Sequence, residues 1–97
     1  YPTLGLTYDP SHQIMIGVPL EQTEPLFAFV TKGHLRDARR GEMQAAWGEG
    51  ELDPAWVLTK LAEHGYNDYV TAEYFGGFDP EFASARAAKE FIEAFEA

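Results

Sequence analysis

The residues best suited to chemistry form a compact polar group near the middle of the chain. His34, Arg36 and Asp37 place an imidazole, a guanidinium and a carboxylate within four consecutive positions, directly after the β-prone run at 29–32. Imidazole and carboxylate groups bind metal ions and transfer protons. Such a group is typical of the carboxyl end of a parallel strand, where α/β proteins place their binding residues.

Similar side chains follow two other apolar runs. Asp9 and His12 come after an alternating stretch at the start of the chain, and Glu73 lies near the end of the run 68–75. Because neighbouring parallel strands end at the same edge of a sheet, we expect Asp9, His34 and Glu73 to converge. A carboxylate without a partner is costly in an apolar strand, which favours a ligand role for Glu73 over a partly exposed edge position.

Strands and helices alternate in the predicted structure that positions these groups. Alternation and β-prone composition indicate the strands, whereas an aspartate followed by proline, and later a glycine, indicate where helices begin and end. The expected order is βαβαβα, with parallel strands joined by right-handed crossovers. Strands are predicted at 3–8, 29–35 and 68–75, and helices at 53–65 and from 79–80 almost to 97.

The segment between the first two strands is predicted to be less regular. Residues 14–18 are apolar but contain Gly17 and precede Pro19, so we expect a loop or an irregular turn. The segment 20–29 resembles a short helix, in which Pro25 confines regular helix to the residues after it. Thr23 is then the predicted N-cap.

Composition limits the classes of protein to which the chain can belong. Its 97 residues suit one domain or part of one, and 45% hydrophobic content indicates a packed core. With 16 acidic and 7 basic residues, the net charge of −9 disfavours nucleic acid and anionic membranes as partners. No apolar run approaches the roughly 20 residues that span a bilayer. The absence of cysteine excludes disulfides and thiolate ligands and fits a reducing compartment, so a soluble cytoplasmic protein is expected.

Taken together, these residues resemble the xylose-isomerase-like barrel family. That family includes sugar and sugar-phosphate isomerases, ketose 3-epimerases, inosose dehydratases and, more distantly, endonuclease IV. The matching pattern covers nearly the whole chain. The order and spacing of its motifs make the resemblance more specific than any single motif would be. It comprises Asp9-x-x-His12, His34-x-Arg36-Asp37, Gln44 before Gly48-x-Gly50, a helix from Asp53 to Gly65-Tyr66, and Glu73 on the last strand.

The resemblance implies that residues 1–97 are a single partial α/β domain, the βαβαβα part containing strands six to eight of a (β/α)8 TIM barrel. A complete barrel needs about 250 residues. We therefore expect either a fragment that lacks the amino-terminal part of the barrel, or a chain that pairs with a second polypeptide or with copies of itself. The fragment is the favoured expectation.

The same resemblance implies a metal-dependent activity. In the isomerase and epimerase branches one divalent cation is held by a glutamate, an aspartate, a histidine and a second glutamate. Asp9, His34 and Glu73 match three of these ligands, and the first glutamate belongs to a strand that this chain lacks. The ion would be Mn²⁺, Mg²⁺, Co²⁺ or Zn²⁺. Glu73 is also the implied acid/base group, abstracting a proton α to a carbonyl through an enediolate.

Other residues of the pattern imply contacts with a sugar or polyol substrate. His12 resembles the family's contact to a substrate hydroxyl, and Arg40 stands six residues after His34, where family members often hold a hydroxyl or a phosphate. Arg36 belongs to the same basic cluster and is a further candidate for substrate binding. Solvated loop charge is the alternative for these arginines. Asp37 is expected to fix the loop or to orient an arginine.

Three further interpretations stay open or are disfavoured. A dehydratase or lyase of the same superfamily would use the same metal and carboxylate to expel water. A non-catalytic half-barrel would carry these residues without using them. A trinuclear zinc nuclease is disfavoured, because Gln44 stands where endonuclease IV has an additional histidine ligand, in agreement with the acidic net charge. Separately, Gly48-Glu49-Gly50 is only a weak phosphate-loop signal, since glycine pairs are common in turns.

Overall fold

The computed structural model describes residues 5–74 and 83–96 as a mixed α/β structure around a parallel sheet. The strands β1 (Leu6–Tyr8), β2 (Val30–Leu35) and β3 (Val70–Ala72) lie in the order β1-β2-β3, and both pairings are parallel. The predicted run of sequential parallel strands is therefore confirmed. The central strand is β2, so β1 and β3 form the two edges of the described sheet.

Helix α1 (Pro10–Met15) begins as soon as β1 ends. Asp9 is its N-cap, since the carboxylate accepts a hydrogen bond from the Ser11 N–H at 3.0 Å, and Pro10 takes the first helical position. The prediction of a loop over 14–18 was wrong for the last two residues of this helix. The Asp-Pro signal that ends the strand also begins a helix, and burial of Ile14 holds it against the rest of the fold.

The segment Leu20–Phe29 is a 3₁₀ helix, which contains Pro25. Proline disrupts a regular α-helix, and the chain here forms tighter turns along the whole segment. Thr23 is not the N-cap, contrary to prediction, because its hydroxyl is used in the interior. It donates to the Leu20 carbonyl at 2.6 Å and lies 2.9 Å from the Tyr8 hydroxyl.

Helix α2 (Pro54–Glu63) matches the sequence prediction at both ends. The Asp53 carboxylate caps it by accepting a hydrogen bond from the Trp56 N–H at 3.1 Å. His64 is the C-cap residue, and Gly65 follows with a φ of 78°, a value that favours glycine. The local signals in the sequence were sufficient here because each capping interaction lies within a few residues.

Helix α3 (Ala83–Glu96) ends close to its predicted end, almost at residue 97. Ala88 and Ile92 are buried in the described part of the helix, whereas Phe95 is 41% exposed. The predicted helix start at Asp79-Pro80 lies outside the described residues. Across the described ranges, no helix combines the length and the apolar composition that crossing a bilayer requires.

The hydrophobic core lies between one face of the sheet and the helices. Gly33 and Leu35 of β2 face this core, where Gly33 leaves room for Leu61 and Tyr66. Because side chains alternate along a strand, His34 lies on the opposite face. This arrangement keeps the imidazole away from the apolar interior. The core residues are Tyr8, Phe27, Leu35, Val57, Leu58, Leu61 and Ile92.

Candidate metal and acid/base site

Three side chains meet at the carboxyl ends of the three strands. Asp9 directly follows β1, His34 is the penultimate residue of β2, and Glu73 directly follows β3. One possible ligand atom from each lies within 4.8 Å of the other two. The groups converge as their positions in the sequence predict, and their role as metal ligands stays a prediction.

His34 and Glu73 are brought together by the register of β2 and β3. His34 pairs with Thr71, and the Glu73 N–H donates to the Leu35 carbonyl at 3.0 Å, so the backbone pairing continues past β3. His34 Nδ1 consequently lies 3.0 Å from Glu73 Oε2. Both side chains are 27% exposed, which leaves them reachable from solvent.

Asp9 uses its two carboxylate oxygens differently. Oδ1 accepts hydrogen bonds from the backbone N–H and the hydroxyl of Ser11, at 3.0 and 2.6 Å. Oδ2 lies 3.3 Å from Arg36 Nη2 and 3.6 Å from His12 Nε2. The side chain of Asp9 is only 8% exposed, whereas that of His12 is 55% exposed. One oxygen is thus fixed by the start of α1 and the other faces the site.

Arg36 is buried next to the carboxylates. Its side chain is 1% exposed, and Nη1 lies 3.9 Å from Glu73 Oε1. Nε and Nη2 both donate to the Ser11 hydroxyl, at 3.2 and 2.9 Å. Contact of Arg36 with a substrate stays a prediction, and its observed partners are groups of the protein.

Ser11 is a site residue that the sequence analysis did not single out. It is fully buried, accepts hydrogen bonds from Arg36 and donates one to Asp9. Its position between Asp9 and His12 was the available signal. A serine at this position is also explained by the beginning of a helix, so the sequence alone could not separate the two roles.

The loop after β2 is held by the buried carboxylate of Asp37. Its Oδ1 accepts hydrogen bonds from the N–H groups of Ala38 and Leu52, at 2.8 and 3.1 Å. Its Oδ2 accepts two more, from Gly48 at 2.8 Å and Gly50 at 3.0 Å. The expectation that Asp37 fixes the loop is confirmed. The N–H groups of these two glycines donate to Asp37, so they do not face outward as the N–H groups of a phosphate loop would.

Tyr74 connects the end of β3 to the same loop. Its hydroxyl accepts a hydrogen bond from the Asp37 N–H at 3.1 Å and donates to the Ala45 carbonyl at 2.7 Å. Since Tyr74 directly follows Glu73, this contact also fixes the backbone that carries the site glutamate. The sequence analysis did not assign this role to Tyr74.

The site opens into a cleft of about 420 Å³. Polar groups occupy one part of its lining, including both carboxylates and both imidazoles of the predicted site, and the side chains of Leu6 and Leu26 are apolar parts of the wall. A cleft of this composition can bind a small molecule that has both hydroxyl groups and exposed C–H bonds. Its lining residues are Leu6, Thr7, Tyr8, Asp9, His12, Gln13, Leu26, His34 and Glu73.

Arg40 lies on the exposed part of the loop, outside the lining of this cleft. Its N–H donates to Glu51 Oε2 at 2.7 Å, and its guanidinium lies beside Gly17, just after α1. The neighbouring Arg39 lies 3.1 Å from a Glu42 carboxylate oxygen. Arg40 is therefore not grouped with Asp9, His12 and the other site residues, and its contact with a substrate stays a prediction.

No protein-family model, curated protein or solved structure matches this chain.

The donor set fits a single divalent cation. Bonds of about 2.1 Å allow two ligand atoms on one ion to be at most about 4.2 Å apart. The 4.8 Å spread of the three groups would therefore have to contract by less than about 1 Å. Carboxylate oxygen and imidazole nitrogen without thiolate suit Mg²⁺, Mn²⁺, Co²⁺ or Zn²⁺. Asp9, His34 and Glu73 could hold such an ion, and the ligation of His34 would need a nitrogen lone pair.

Proposed function

We propose that the chain is the carboxyl-terminal βαβαβα part of a (β/α)8 barrel and belongs to a metal-dependent sugar or sugar-phosphate isomerase or epimerase. One observation carries this proposal: ligand atoms of Asp9, His34 and Glu73 lie within 4.8 Å of one another at the carboxyl ends of three sequential parallel strands. Barrel enzymes hold their active sites at this end of the sheet. The family resemblance of the sequence gives the reaction class.

The proposed reaction removes a proton from the carbon next to the carbonyl of a hydroxy-carbonyl substrate. In an isomerase the proton is added to the neighbouring carbon, and in an epimerase a second group adds a proton to the opposite face of the same carbon. A divalent cation held by Asp9, His34 and Glu73 would polarise the carbonyl and acidify the adjacent C–H bond. Glu73 then accepts the proton from carbon and returns it to the substrate. His34 Nδ1 lies 3.0 Å from one oxygen of this carboxylate and supports its orientation, and Arg36 Nη1 lies 3.9 Å from the other oxygen, at a distance where only electrostatic attraction acts.

The cleft supports a small polar substrate. Its volume of about 420 Å³ lies within the range of about 300 to 1,000 Å³ common for small-molecule sites. His12 is exposed at the cleft, which supports the proposal that it binds a substrate hydroxyl. Leu6 and Leu26 offer an apolar surface for the C–H groups of a sugar or polyol.

Metal content gives the first test. The full chain is loaded with Mn²⁺, dialysed and compared with Glu73→Ala and with Glu21→Ala, an exposed glutamate away from the cleft that serves as the matched control. We expect bound metal in the unsubstituted chain and in Glu21→Ala, and its loss in Glu73→Ala. Equal metal content in all three chains would refute the proposed metal site and would favour the alternative of a non-catalytic half-barrel.

Proton exchange gives the second test. The metal-loaded chain is incubated with a panel of ketoses and their phosphates in D₂O, and the NMR signal of the C–H next to the carbonyl is followed. Removal and return of one proton requires only one carboxylate, so exchange needs Glu73 but no second base. We expect the signal to decay with at least one substrate and to persist with Glu73→Ala. Loss of a hydroxyl group from the substrate would instead identify the dehydratase reaction.

A further inference from the structure

Arg36, the one buried basic residue in the described part of the chain, lies between the two carboxylates of the site. Arg36 Nη2 is 3.3 Å from Asp9 Oδ2, and Nη1 is 3.9 Å from Glu73 Oε1. We propose that Arg36 is a positioning residue, an internal counter-cation that stabilises and orients the two carboxylates while the metal site is empty. This inference rests on the proposed function, because it concerns the same metal site.

The burial of Arg36 favours this role over direct contact with a substrate. Its side chain is 1% exposed and it is not among the residues that line the cleft. A guanidinium in this position acts on a bound molecule through the carboxylates that it contacts. Arginine suits the task, since its planar fork stays charged and donates in several fixed directions.

Ser11 fixes the orientation of the guanidinium. Two nitrogen atoms of Arg36 donate to the Ser11 hydroxyl, and that hydroxyl donates to Asp9 Oδ1 at 2.6 Å. Arg36 therefore reaches both oxygens of Asp9, one directly and the other through Ser11. Rotation of either side chain would break at least one of these contacts, so the arrangement is determined before any ligand enters.

The charges give Arg36 a second effect. Two carboxylates that face a common point repel each other, and burial increases the cost. Asp9, Glu73 and Arg36 together carry one negative charge, which keeps the site attractive to a cation. With a neutral residue at position 36 the empty site would hold two uncompensated carboxylates. A divalent cation would then supply the positive charge that the variant lacks.

The comparison of three variants tests this charge relationship. Melting temperatures are measured for the full chain, Arg36→Met and Arg36→Lys, each in chelator and in saturating Mn²⁺. Arg39→Met, at an exposed arginine paired with Glu42, is the matched control. We expect Arg36→Met to melt lower in chelator and to gain several degrees more from Mn²⁺ than the unsubstituted chain, with Arg36→Lys between them. A lower melting temperature with an unchanged gain from Mn²⁺ would mean that Arg36 is structural only.

A metal-free measurement separates this inference from the proposed function. The free energy of unfolding is measured in chelator for Arg36→Met, Glu73→Gln and the double variant. We expect Glu73→Gln to be less harmful in the Arg36→Met chain, because it removes one of the repelling carboxylates. Should Arg36→Met fail to fold, recovery of folding in the double variant is the expected result. Additive losses, or a double variant that stays unfolded, would overturn the role of Arg36.

The two failures are distinguishable. Coupling between positions 36 and 73 without any metal binding would refute the proposed metal site and leave the counter-cation role intact. Metal binding that is lost in Glu73→Ala, together with additive effects at 36 and 73, would refute only the counter-cation role.

Discussion

Ser11 donates its hydroxyl to Asp9 at 2.6 Å and, through the same oxygen, accepts hydrogen bonds from Arg36. One buried oxygen thus connects an acidic and a basic member of the site. Asp9 Oδ1 has no direct contact with Arg36, and it is Ser11 that holds this oxygen, whereas Arg36 contacts Oδ2. This relationship makes Ser11 the first residue to test.

Replacement of Ser11 by alanine should weaken both the fold and the site. The change leaves charged groups without a buried hydrogen-bonding partner, which costs about 1–3 kcal/mol of unfolding free energy. Metal affinity should fall about 10-fold to 100-fold, as is usual when a group that orients a ligand is lost. Urea unfolding and Mn²⁺ titration measure the two effects. Thr59→Ala, at an exposed position of α2, should change neither, and unaltered Mn²⁺ affinity in Ser11→Ala would contradict the orienting role.

Replacement of Asp37 by asparagine should release the loop. The uncharged amide has a single acceptor oxygen, so it can no longer accept hydrogen bonds from all four backbone N–H groups. Its NH₂ group is a donor and would face two of those N–H groups. We expect a loss of about 2–4 kcal/mol in unfolding free energy and faster tryptic cleavage after Arg39 and Arg40. Glu49→Gln, an exposed change in the same loop, is the control. Cleavage rates that match in both variants would show that the loop is held by other contacts.

Replacement of Tyr8 by phenylalanine should alter stability at alkaline pH. Burial is the main cause that raises the pKa of Tyr8, Asp9 raises it further, and the hydrogen bond with Thr23 opposes the shift. The contribution of Tyr8 to stability is therefore complete below its unfolded pKa of about 10 and is lost as pH rises through the folded pKa.

The measurement is the melting temperature between about pH 8 and pH 11, across the usual tyrosine pKa. At neutral pH, Tyr8→Phe should be about 1 kcal/mol less stable, because it lacks the bond to Thr23. The deficit should shrink as pH rises. Burial also raises the pKa of Tyr66. Because Tyr66 is present in both chains, its effect cancels when their stabilities are compared. A stability difference between the two chains that stays constant with pH would show that folding does not raise the pKa of Tyr8.

Replacement of His12 by glutamine should affect substrate and not metal. His12 is 55% exposed, and it is not one of the three groups that lie within 4.8 Å of one another. We expect an unchanged Mn²⁺ affinity and slower C–H exchange at low substrate concentration, which recovers at high concentration. This pattern corresponds to a raised KM with kcat preserved. A matching loss of Mn²⁺ affinity would instead place His12 among the ligands.

The convergence of the site residues could be predicted because it depends on simple regularities. Parallel strands end at one edge of a sheet, and a period of two puts Thr71 and Glu73 on the same face. The helix from Asp53 to Gly65 could also be predicted, since the residues that cap each of its ends are only a few positions from the groups that they cap. The assignment to part of a barrel depends on contacts that the described residues do not contain, so it remains a proposal.

The features that the sequence did not predict depend on contacts between distant residues. Thr23 is drawn into the interior by Tyr8, fifteen positions away. Arg36 is drawn beneath the site by Ser11, which lies twenty-five positions earlier. The neighbouring sequence assigns such residues to helix caps and solvated loops, because the hydrogen-bonding partners that bury them are distant in the sequence and come close only on folding.

Asp9 begins α1 with one oxygen and faces Arg36 and the cleft with the other. Asparagine begins helices about as well as aspartate, although it brings no charge. The helix thus requires only the shape of the side chain at position 9, whereas the metal site would require its charge. The change Asp9→Asn would thus separate the two demands, since it would keep the helix start and weaken the proposed cation site.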